Sequence, residues 1–507
     1  MSAAIVIGGG IGGLASAALL AKQGHDVTVL EKNQLVGGRA NYFEADGFRF
    51  DMGPSWYLMP DIFEHFFALL GERVEDHLDL IRLDPSYRIT FRGTDQVVDM
   101  TSDLTRDVPT FERLEPGSGQ ALRDYLDRAE AQYQVAIDRF MYRNTNGLLD
   151  FFDVQTARQA RQLHVFENMH DYISRSFTTD AVRKILEYQL VFLGSSPFNT
   201  PALYNILSHI DFNLGVFYPR GGIYSIVQAL VRLGQQHGVT HRTEAPVAEI
   251  LTAGRRATGV RLASGEELRA DLVISNADMH HTETELLPTA ARSHPERSWK
   301  RKVLAPSAFI LYLGVRGRLP QLTHHNLAFG QDWRAAFADL FDRPAWPDDP
   351  SYYVCAPSRT DPTTAPADRE NLFVLVPLAP SLSMTDADIA RYRQRTLELV
   401  ARDFDVPDLQ DRIVFERSYT SRDFTADYHA YGGSALGLAH TTKQTIFRPR
   451  NVSRKLTNLY YVGAGTNPGI GMPICLISAE LVLKRIIGDR SPGPLPVPAA
   501  IGDGLGG

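Results

Sequence analysis

The sequence predicts an α/β protein in which helices cover a parallel sheet. A strand at residues 4–7 runs into a glycine-rich turn and a helix, and residues 456–487 show the same design near the C terminus. Between these two units, the apolar run 272–276 has the composition of a parallel strand that is buried on both faces. Strands and helices that alternate in this way are typical of a doubly wound, Rossmann-like domain.

The first turn carries three glycines, Gly8, Gly10 and Gly13, at the spacing of a dinucleotide-binding turn. The first glycine permits the tight turn, the second lets the backbone approach a pyrophosphate, and the third lets the helix pack on the strand. The helix predicted over Leu14–Gln23 directs its N-terminal amides at that phosphate. The following strand ends at Glu31, where an acid is expected to hold the ribose hydroxyls.

The residues after this strand indicate which dinucleotide is bound. Many flavoproteins carry a pattern like Gly37-Gly38-Arg39 at this point, and Arg39 offers a fixed positive charge to a pyrophosphate. A nicotinamide site needs no such group, so the pattern favours FAD over NAD. A secretory signal would also explain an apolar N terminus, but there is no basic start and the glycines have phosphate-loop spacing.

Length and composition exclude several classes of protein. The chain has 507 residues, enough for two or three domains, with 44% hydrophobic and 22% charged residues. A net charge of −7 gives no reason to expect nucleic acid as a partner. The only cysteines, Cys355 and Cys475, lack metal-ligand spacing, which predicts no metal site and a reducing compartment. We expect no transmembrane helix, because no apolar stretch of about 20 residues remains outside the N-terminal unit.

The middle of the chain is predicted to hold a helical region and a second sheet. Residues 118–210 are mostly helical and rich in aromatic residues, as in a cap over a cofactor. Strand-like runs at 309–313 and 372–376 indicate a sheet of the kind that floors a substrate cavity. The other predicted elements are helices over 57–72, 223–236, 386–404 and 476–487, a β-ribbon over 247–276, and a Pro/Gly-rich disordered tail after Gly488.

Further segments recur in the order found in one family. They are GFRFDMGP at 47–54, SSPFNTPALY at 195–204, YPRGG at 218–222, LVISNAD at 272–278, LTHHNLAFG at 322–330, ENLFVLVPLAP at 370–380, AYGGSALGL at 430–438 and NLYYVGAGTNPGIGMP at 458–473. With them, the chain resembles the bacterial-type phytoene desaturase family of carotenoid biosynthesis over about residues 1–490. The N-terminal motifs are shared with amine oxidases in general, whereas the middle and C-terminal ones are more specific.

The resemblance implies an FAD-dependent carotenoid desaturase with discontinuous domains. The Rossmann-like FAD-binding domain would comprise 1–75, 212–300 and 430–490, the mixed-sheet substrate domain 76–117 and 301–429, the helical cap 118–211, and the disordered tail 491–507. The implied FAD contacts are Gly8, Gly10, Gly13, Glu31, Lys32, Gly38, Arg39, Gly53, Pro54, Val247, Asn276, Gly463, Gly465, Gly471 and Met472. Val247 would lie at the adenine end, and Asp51–Pro54 and Gly469–Pro473 near the isoalloxazine.

The implied substrate is a hydrophobic C40 or C30 carotenoid precursor such as phytoene. A polyene has no hydrogen-bonding groups, so it must bind by apolar burial in a tunnel. Desaturation moves a hydride to the flavin, while the neighbouring carbon loses a proton. Asp153 in the predicted cap is a candidate for taking that proton, and His324-His325 form a second candidate. A purely structural role is the alternative for both.

The resemblance leaves the particular reaction and the partners open. Many phytoene desaturases have His at the position of Asn467 and Gly-Val at Ile474-Cys475, so the carotenoid is not defined. Alternatives are a later-step desaturase of the 3,4-desaturase type, a flavin-dependent carotene cis–trans isomerase, an amine or porphyrinogen oxidase, and a carotenoid-binding protein. We expect oxygen or a quinone to reoxidise the flavin. We also expect a cytoplasmic protein bound peripherally to the cell membrane, where its insoluble substrate resides.

Overall fold

Three sheets form the framework of the protein in a computed structural model, which describes residues 2–144 and 167–497. Two short ribbons, β3–β4 and β5–β8 in the numbering that follows, complete the β-structure of these residues. The strands are β1 (Ala3–Ile7), β2 (Asp26–Leu30), β3 (Tyr42–Ala45), β4 (Phe48–Asp51), β5 (Leu80–Arg82), β6 (Tyr87–Phe91), β7 (Val97–Met100), β8 (Phe217–Pro219), β9 (Thr240–Arg242), β10 (Val247–Ala253), β11 (Arg256–Leu262), β12 (Glu267–Arg269), β13 (Leu272–Ser275), β14 (Ser307–Arg316), β15 (His325–Phe329), β16 (Tyr352–Cys355), β17 (Arg369–Leu378), β18 (Ile413–Tyr419) and β19 (Leu459–Tyr461).

The α-helices of the described residues lie mainly between these strands or in the cap. They are α1 (Ile11–Lys22), α2 (Pro60–Leu70), α3 (Leu104–Leu114), α4 (Ser118–Ala136), α5 (Met169–Ser174), α6 (Asp180–Glu187), α7 (Ile206–His209), α8 (Tyr224–Gln236), α9 (Met279–His281), α10 (Glu296–Trp299), α11 (Trp333–Phe341), α12 (Asp386–Asp403), α13 (Leu409–Arg412), α14 (Ser421–Tyr428), α15 (Thr442–Ile446) and α16 (Met472–Ile487). None of these helices is long and apolar enough to cross a membrane.

The five-stranded sheet is parallel and has the order β19-β13-β1-β2-β9. This arrangement confirms the predicted Rossmann-like fold class. It joins three distant parts of the chain, because β1 and β2 come from the N terminus, β9 and β13 from the middle and β19 from the C-terminal region. The carboxyl ends of parallel strands meet at one edge, which is where such sheets bind ligands.

Alternating residues of the central strand β1 pack against two different layers. Ala4 and Val6 belong to a core that also contains α1, α2, α8 and α16. Ile5 and Ile7 belong to a core with the antiparallel sheet β10-β11-β12. Successive side chains of a strand point to opposite faces, so a strand covered on both sides reads as a continuous apolar run. The sheet is therefore the middle layer of three.

The seven-stranded mixed sheet, with the order β18-β14-β17-β16-β15-β6-β7, also separates two cores. Leu311 and Leu313 of β14 pack with α12 on one face. Ala308 and Ile310 of the same strand face the core that includes the cap helices. The long pair β14–β17, in register from Ser307 and Leu378 onward, thus forms a rigid floor beneath the cap.

Several element boundaries differ from the sequence predictions for identifiable reasons. Helix α16 begins at Met472 rather than 476, because Pro473 falls in its first turn, where the missing N–H costs nothing. The described cap contains short 3₁₀ and π segments between its α-helices, including Tyr188–Leu193 and Ile210–Leu214. Residues 491–497 of the predicted tail contact α16, where the Leu495 N–H donates to Glu480 at 2.6 Å. Residues 498–507 lie outside the described residues.

Helix α1 begins at Ile11 and includes Gly13, because the helix must approach the preceding turn very closely. A Cβ atom on Gly13 would lie 2.2 Å from the carbonyl oxygen of Gly8. Helix α8 contains Gly234, whose position leaves a Cβ atom no closer than 3.4 Å to its neighbours. Helices α1 and α8 pack in the same layer, so alanine substitutions at Gly13 and Gly234 can be compared directly.

We expect Gly13→Ala to lower the midpoint of thermal unfolding, because forcing a group into a packed contact costs about 1–3 kcal/mol. Gly234→Ala is the control and should raise the midpoint or leave it unchanged, since alanine favours a helix interior over glycine by about 1 kcal/mol. Differential scanning calorimetry measures both. Equal midpoints for the two variants would contradict the assigned helix–turn contact.

Candidate functional site: a nucleotide groove joined to an apolar chamber

One cavity of about 1090 Å³ runs from the carboxyl edge of the parallel sheet to the space between the cap and the mixed sheet. We call its first part the nucleotide end, lined by the glycine turns, and its second part the apolar chamber. Thirteen of the fifteen predicted cofactor contacts line this cavity. They are Gly8, Gly10, Glu31, Lys32, Gly38, Arg39, Gly53, Pro54, Val247, Asn276, Gly463, Gly471 and Met472.

The side chain of Asn276 lies between the N-terminal and the C-terminal glycine turns. Its Nδ2 donates to the carbonyl oxygen of Gly8 at 3.3 Å. A Cβ atom on Gly10 would lie 2.8 Å from Nδ2, and one on Gly463 would lie 2.7 Å from Oδ1. Gly8 and Gly463 both adopt φ +95°, a conformation that favours glycine. The two turns can therefore meet around Asn276 only because they lack side chains.

The two remaining predicted contacts have structural roles and do not line the cavity. Gly13 packs against the Gly8 carbonyl as described above. A Cβ atom on Gly465 would lie 3.1 Å from Cβ of Met279, so this glycine lets the C-terminal turn approach α9. Both residues support the groove from behind.

Glu31 is buried at the end of β2, where its carboxylate accepts two backbone hydrogen bonds. The donors are the N–H of Gly9 at 2.8 Å and that of Asn33 at 2.9 Å. These bonds fix the carboxylate at the edge of the groove, and each oxygen keeps a second lone pair for a ribose hydroxyl. The ammonium group of the neighbouring Lys32 donates a hydrogen bond to the Ala426 carbonyl at 2.6 Å. Val247 lines the same end of the cavity.

The segment Gly37–Arg39 is tied to the first turn. The Gly37 N–H donates to the Gly9 carbonyl at 2.7 Å. Arg39 makes one long hydrogen bond, 3.5 Å from Nη2 to the Ser434 carbonyl, and lies over the ring of Tyr428. Its buried Nε has no hydrogen-bond partner among the described residues. A guanidinium with unused donors at this groove fits an anionic pyrophosphate, and the glycine turns leave the space that this group needs.

The residues of the predicted segment Asp51–Pro54 have different surroundings in the structure. Gly53 and Pro54 line the cavity, and a Cβ atom on Gly53 would lie 2.7 Å from the Arg39 carbonyl. Asp51 is absent from the lining and instead accepts hydrogen bonds from the N–H groups of Ile223 and Tyr224 at the start of α8. Burial raises the pKa of Asp51 to about 6. Its carboxylate therefore anchors a helix and does not contact the groove.

The C-terminal loop ends at the N terminus of α16, where Gly471 precedes the first turn with φ +121°. Met472 and Cys475 of this turn line the cavity. A helix N terminus carries partial positive charge and favours negative charge on a nearby ligand. Burial raises the pKa of the Cys475 thiol to about 12, so the thiol stays neutral beside the groove.

The apolar chamber has the mixed sheet as its floor and the cap as its roof. The floor presents Ala308 and Ile310 of β14 beside side chains of β15 and β17. Helix α11 adds Trp333, Phe337 and Leu340 from one face. The remaining apolar lining residues include Trp56, Leu193, Leu203, Leu207, Ile210, Leu327, Phe329, Phe373 and Leu375. Such a chamber favours a ligand that offers hydrocarbon surface.

The two predicted catalytic groups have different outcomes. Asp153 lies outside the described residues. His324 and His325 are buried behind the wall, where His325 stacks on Trp56 at 4.1 Å between ring centroids. Their Nδ1 atoms lie 2.8 Å from Thr360 Oγ1 and 2.7 Å from Tyr353 Oη.

The chemistry of these histidines is that of neutral core groups. Burial lowers the pKa of His324 to about 3 and also lowers that of His325 well below its usual value. The Sγ atom of Cys355 lies within 4.8 Å of a ring nitrogen of each histidine. Burial raises the pKa of this thiol to about 12. Without their positive charge and away from the cavity, the histidines support the position of Trp56.

Sequence reasoning missed a carboxylate in the chamber wall, Asp211. It lies in the π segment Ile210–Leu214, between Ile210 and Phe212. An acid between two apolar residues is the signal that could have identified it.

Comparison with known proteins assigns the class. Residues 11–487 match the family of flavin containing amine oxidoreductases, and the chain belongs to this family. The cofactor is FAD, and the groove described above fits it. When bound, FAD supplies the hydride acceptor, while the residues of the chain hold and orient it.

The relatives by sequence are more specific. The carotenoid 3,4-desaturase of Haloarcula japonica is 48% identical over 96% of this chain and 98% of its own length. The zeta-carotene-forming phytoene desaturase of Myxococcus xanthus is 39% identical over 95% of this chain and 93% of its own length. Among solved structures, an oxidoreductase from Methanosarcina mazei has a TM-score of 0.65 at 18% identity, covering 95% of this chain and 100% of that one. Cyclohexylamine oxidase from Brevibacterium oxydans has a TM-score of 0.58 at 15% identity, covering 96% of this chain and 99% of that one. These two structures share the fold.

Arg39→Gln should weaken FAD binding roughly 10- to 100-fold, because a hydrogen bond to a charged group contributes about 1.5–3 kcal/mol. The matched control is Arg220→Gln, which breaks an exposed ion pair with Asp79 outside the cavity. Titration of the apoprotein with FAD, followed by flavin fluorescence, gives both dissociation constants. If Arg39→Gln binds FAD as tightly as the control, Arg39 is not a pyrophosphate ligand.

Proposed function

We propose that this protein is an FAD-dependent carotenoid desaturase that introduces a double bond into a long hydrocarbon polyene. The observation that carries the proposal is one continuous cavity, in which the FAD groove opens into an apolar chamber. The near full-length identity to two carotenoid desaturases supports the same substrate class. The reaction removes two hydrogens from adjacent carbons, one with its electron pair and one as a proton.

The residues of the chamber bind the substrate without hydrogen bonds. Each 100 Å² of apolar surface removed from water contributes about 2.5 kcal/mol, so a buried polyene can be held by Trp56, Trp333, Phe337 and similar groups alone. The same packing excludes water from the reacting carbons. Position along the chamber then decides which carbon–carbon bond lies beside the flavin.

The finer proposal is desaturation at the 3,4 position of an already conjugated carotenoid. The relative with that named activity shares 48% of its residues with this chain, compared with 39% for the phytoene desaturase. Asn467, Ile474 and Cys475, where the sequence departs from many phytoene desaturases, all line the cavity. We further propose that oxygen or a quinone reoxidises the flavin.

Expression in two bacterial hosts tests the reaction, one accumulating phytoene and the other accumulating the conjugated carotenoid lycopene. We expect products lighter by two hydrogens per step in the lycopene host, identified by liquid chromatography with mass spectrometry. The Arg39→Gln variant serves as a flavin-poor control. New conjugated products in the phytoene host would shift the proposal to phytoene desaturation. Unchanged mass with altered geometry would support an isomerase, and unchanged pigments in both hosts with bound FAD would overturn desaturation.

We also propose that the protein is cytoplasmic and meets its substrate at a membrane surface. The cavity is lined by Phe447, half of whose surface is exposed, so an apolar side chain marks one opening. Val97 is similarly exposed on β7 but does not line the cavity.

Phe447→Ser should lower the fraction of protein that floats with phospholipid vesicles, because it removes apolar surface at this opening. Val97→Ser should float like the wild type. Wild-type protein that stays wholly in the aqueous fraction would contradict membrane binding, and equal flotation of the two variants would contradict the role of Phe447.

A further inference from the structure

Asp211 is a buried carboxylate that is held by one of its two oxygens. Its Oδ2 accepts hydrogen bonds from Tyr87 Oη at 2.6 Å, Gln189 Nε2 at 2.9 Å and Tyr188 Oη at 3.0 Å. Its Oδ1 has no hydrogen-bond partner among the described residues. Three donors on one oxygen fix the orientation of the group, and the other oxygen is a buried acceptor without a partner in the described part of the chain.

The position of Asp211 is close to the flavin end of the apolar chamber. The ring of Trp56 lies 5.5 Å from that of Tyr87 and 6.4 Å from that of Tyr188, measured between centroids. Trp56 follows Gly53 and Pro54, which line the cavity beside Arg39. Asp211 itself lines the cavity, in the part of the chamber wall next to these aromatic side chains.

The other acids of the cavity have different surroundings. Among the described lining residues, the remaining carboxylates are Glu31, Asp278 and Asp427. Glu31 ends β2, and Asp278 accepts from the His280 N–H at the start of α9. Asp427 accepts from Tyr419 Oη at 2.7 Å, next to the residue whose carbonyl binds Lys32. All three belong to the nucleotide end, whereas Asp211 lies among the residues that line the apolar chamber.

We infer that Asp211 is a catalytic residue that takes the proton released in desaturation, an inference that rests on the proposed function. Two C–H bonds on adjacent carbons break in that reaction. One hydrogen leaves with its electron pair to FAD, and the allylic carbon framework becomes positively charged. The neighbouring carbon then gives its proton to the Asp211 carboxylate, and the electron pair of that C–H bond forms the new double bond. The substrate is oxidised by two electrons and the flavin is reduced by two.

Electrostatics favour a carboxylate at this wall. Interactions between charges are stronger in an apolar, water-excluded cavity than in water, so an anion near the chamber stabilises the positive charge that develops on the polyene. Burial raises the pKa of Asp211 to about 6, while the three donors oppose that rise. The group is ionised at neutral pH and its conjugate acid is stable enough to form. A general base near the working pH contributes about 100-fold or more in rate.

The test compares Asp211→Asn with Asp107→Asn in the FAD-loaded, full-length protein. Asp107 is an equally buried carboxylate on α3 that accepts from Thr101 and does not line the cavity. We expect Asp211→Asn to keep its FAD content and its substrate affinity, read from quenching of tryptophan fluorescence. Its single-turnover rate, followed by rapid quenching and mass analysis of the product, should fall about 100-fold. Asp107→Asn should stay within about threefold of the wild type.

The pH profile separates a chemical role from a structural one. The ionisable groups that face Asp211 are Tyr87, Tyr188 and Asp107, and burial holds the pKa values of both tyrosines well above 10. The wild-type rate should therefore rise with pH through about 6 as the base loses its proton. This limb should persist in Asp107→Asn and disappear in Asp211→Asn.

The remaining outcomes either contradict the inference or call for a second variant. An Asp211→Asn rate within threefold of the wild type, or an unchanged pH limb, overturns it. If Asp211→Asn does not fold, Asp211→Glu replaces it: a reduced rate with a displaced limb supports the inference, and an unchanged limb overturns it. A wild type that binds FAD and carotenoid but forms no lighter product overturns the proposed function, and the inference with it.

Discussion

The structure depends on the close meeting of two glycine turns around Asn276. One turn follows the first strand of the chain and the other follows its last, yet the amide of Asn276 leaves no room for a Cβ atom on Gly10 or Gly463. The contact joins the N-terminal, middle and C-terminal strands of the parallel sheet at their carboxyl ends. All three segments must be in place before the groove exists, so cofactor binding and assembly of this sheet are coupled.

This constraint explains why the nucleotide end could be predicted residue by residue from the sequence, while the chamber was predicted only in outline. Gly8, Gly10, Glu31 and Arg39 act through local geometry at fixed spacing, and that spacing can be read along the chain. Asp211 acquires its setting from Tyr87 and Tyr188, which reach it through the tertiary fold. No local pattern encodes that meeting. The sequence pattern predicted that the sheet is parallel. The joining of segments hundreds of residues apart was implied only by the family resemblance.

Two sequence predictions differ from the observed side-chain positions for the same physical reason. Asp51 belongs to a segment predicted to lie near the flavin, but strand β4 ends there and its carboxylate accepts from the Ile223 N–H at the start of α8. His324 and His325 suggested acid–base chemistry, yet Trp56 lies between His325 and the cavity. A titratable residue type indicates chemistry only when its side chain reaches the ligand, and the alternation of strands and turns decides which side it reaches.

The two faces of strand β14 pack in different cores, and this separation decides how the chamber can change. Ala308 and Ile310 face the chamber, while the residues between and beyond them, Phe309 and Leu311, pack with α12. A substitution at Ala308 or Ile310 would alter the width of the chamber and leave the core behind the floor intact. The shape of the chamber can therefore change by single substitutions on one face of a strand whose other face preserves stability.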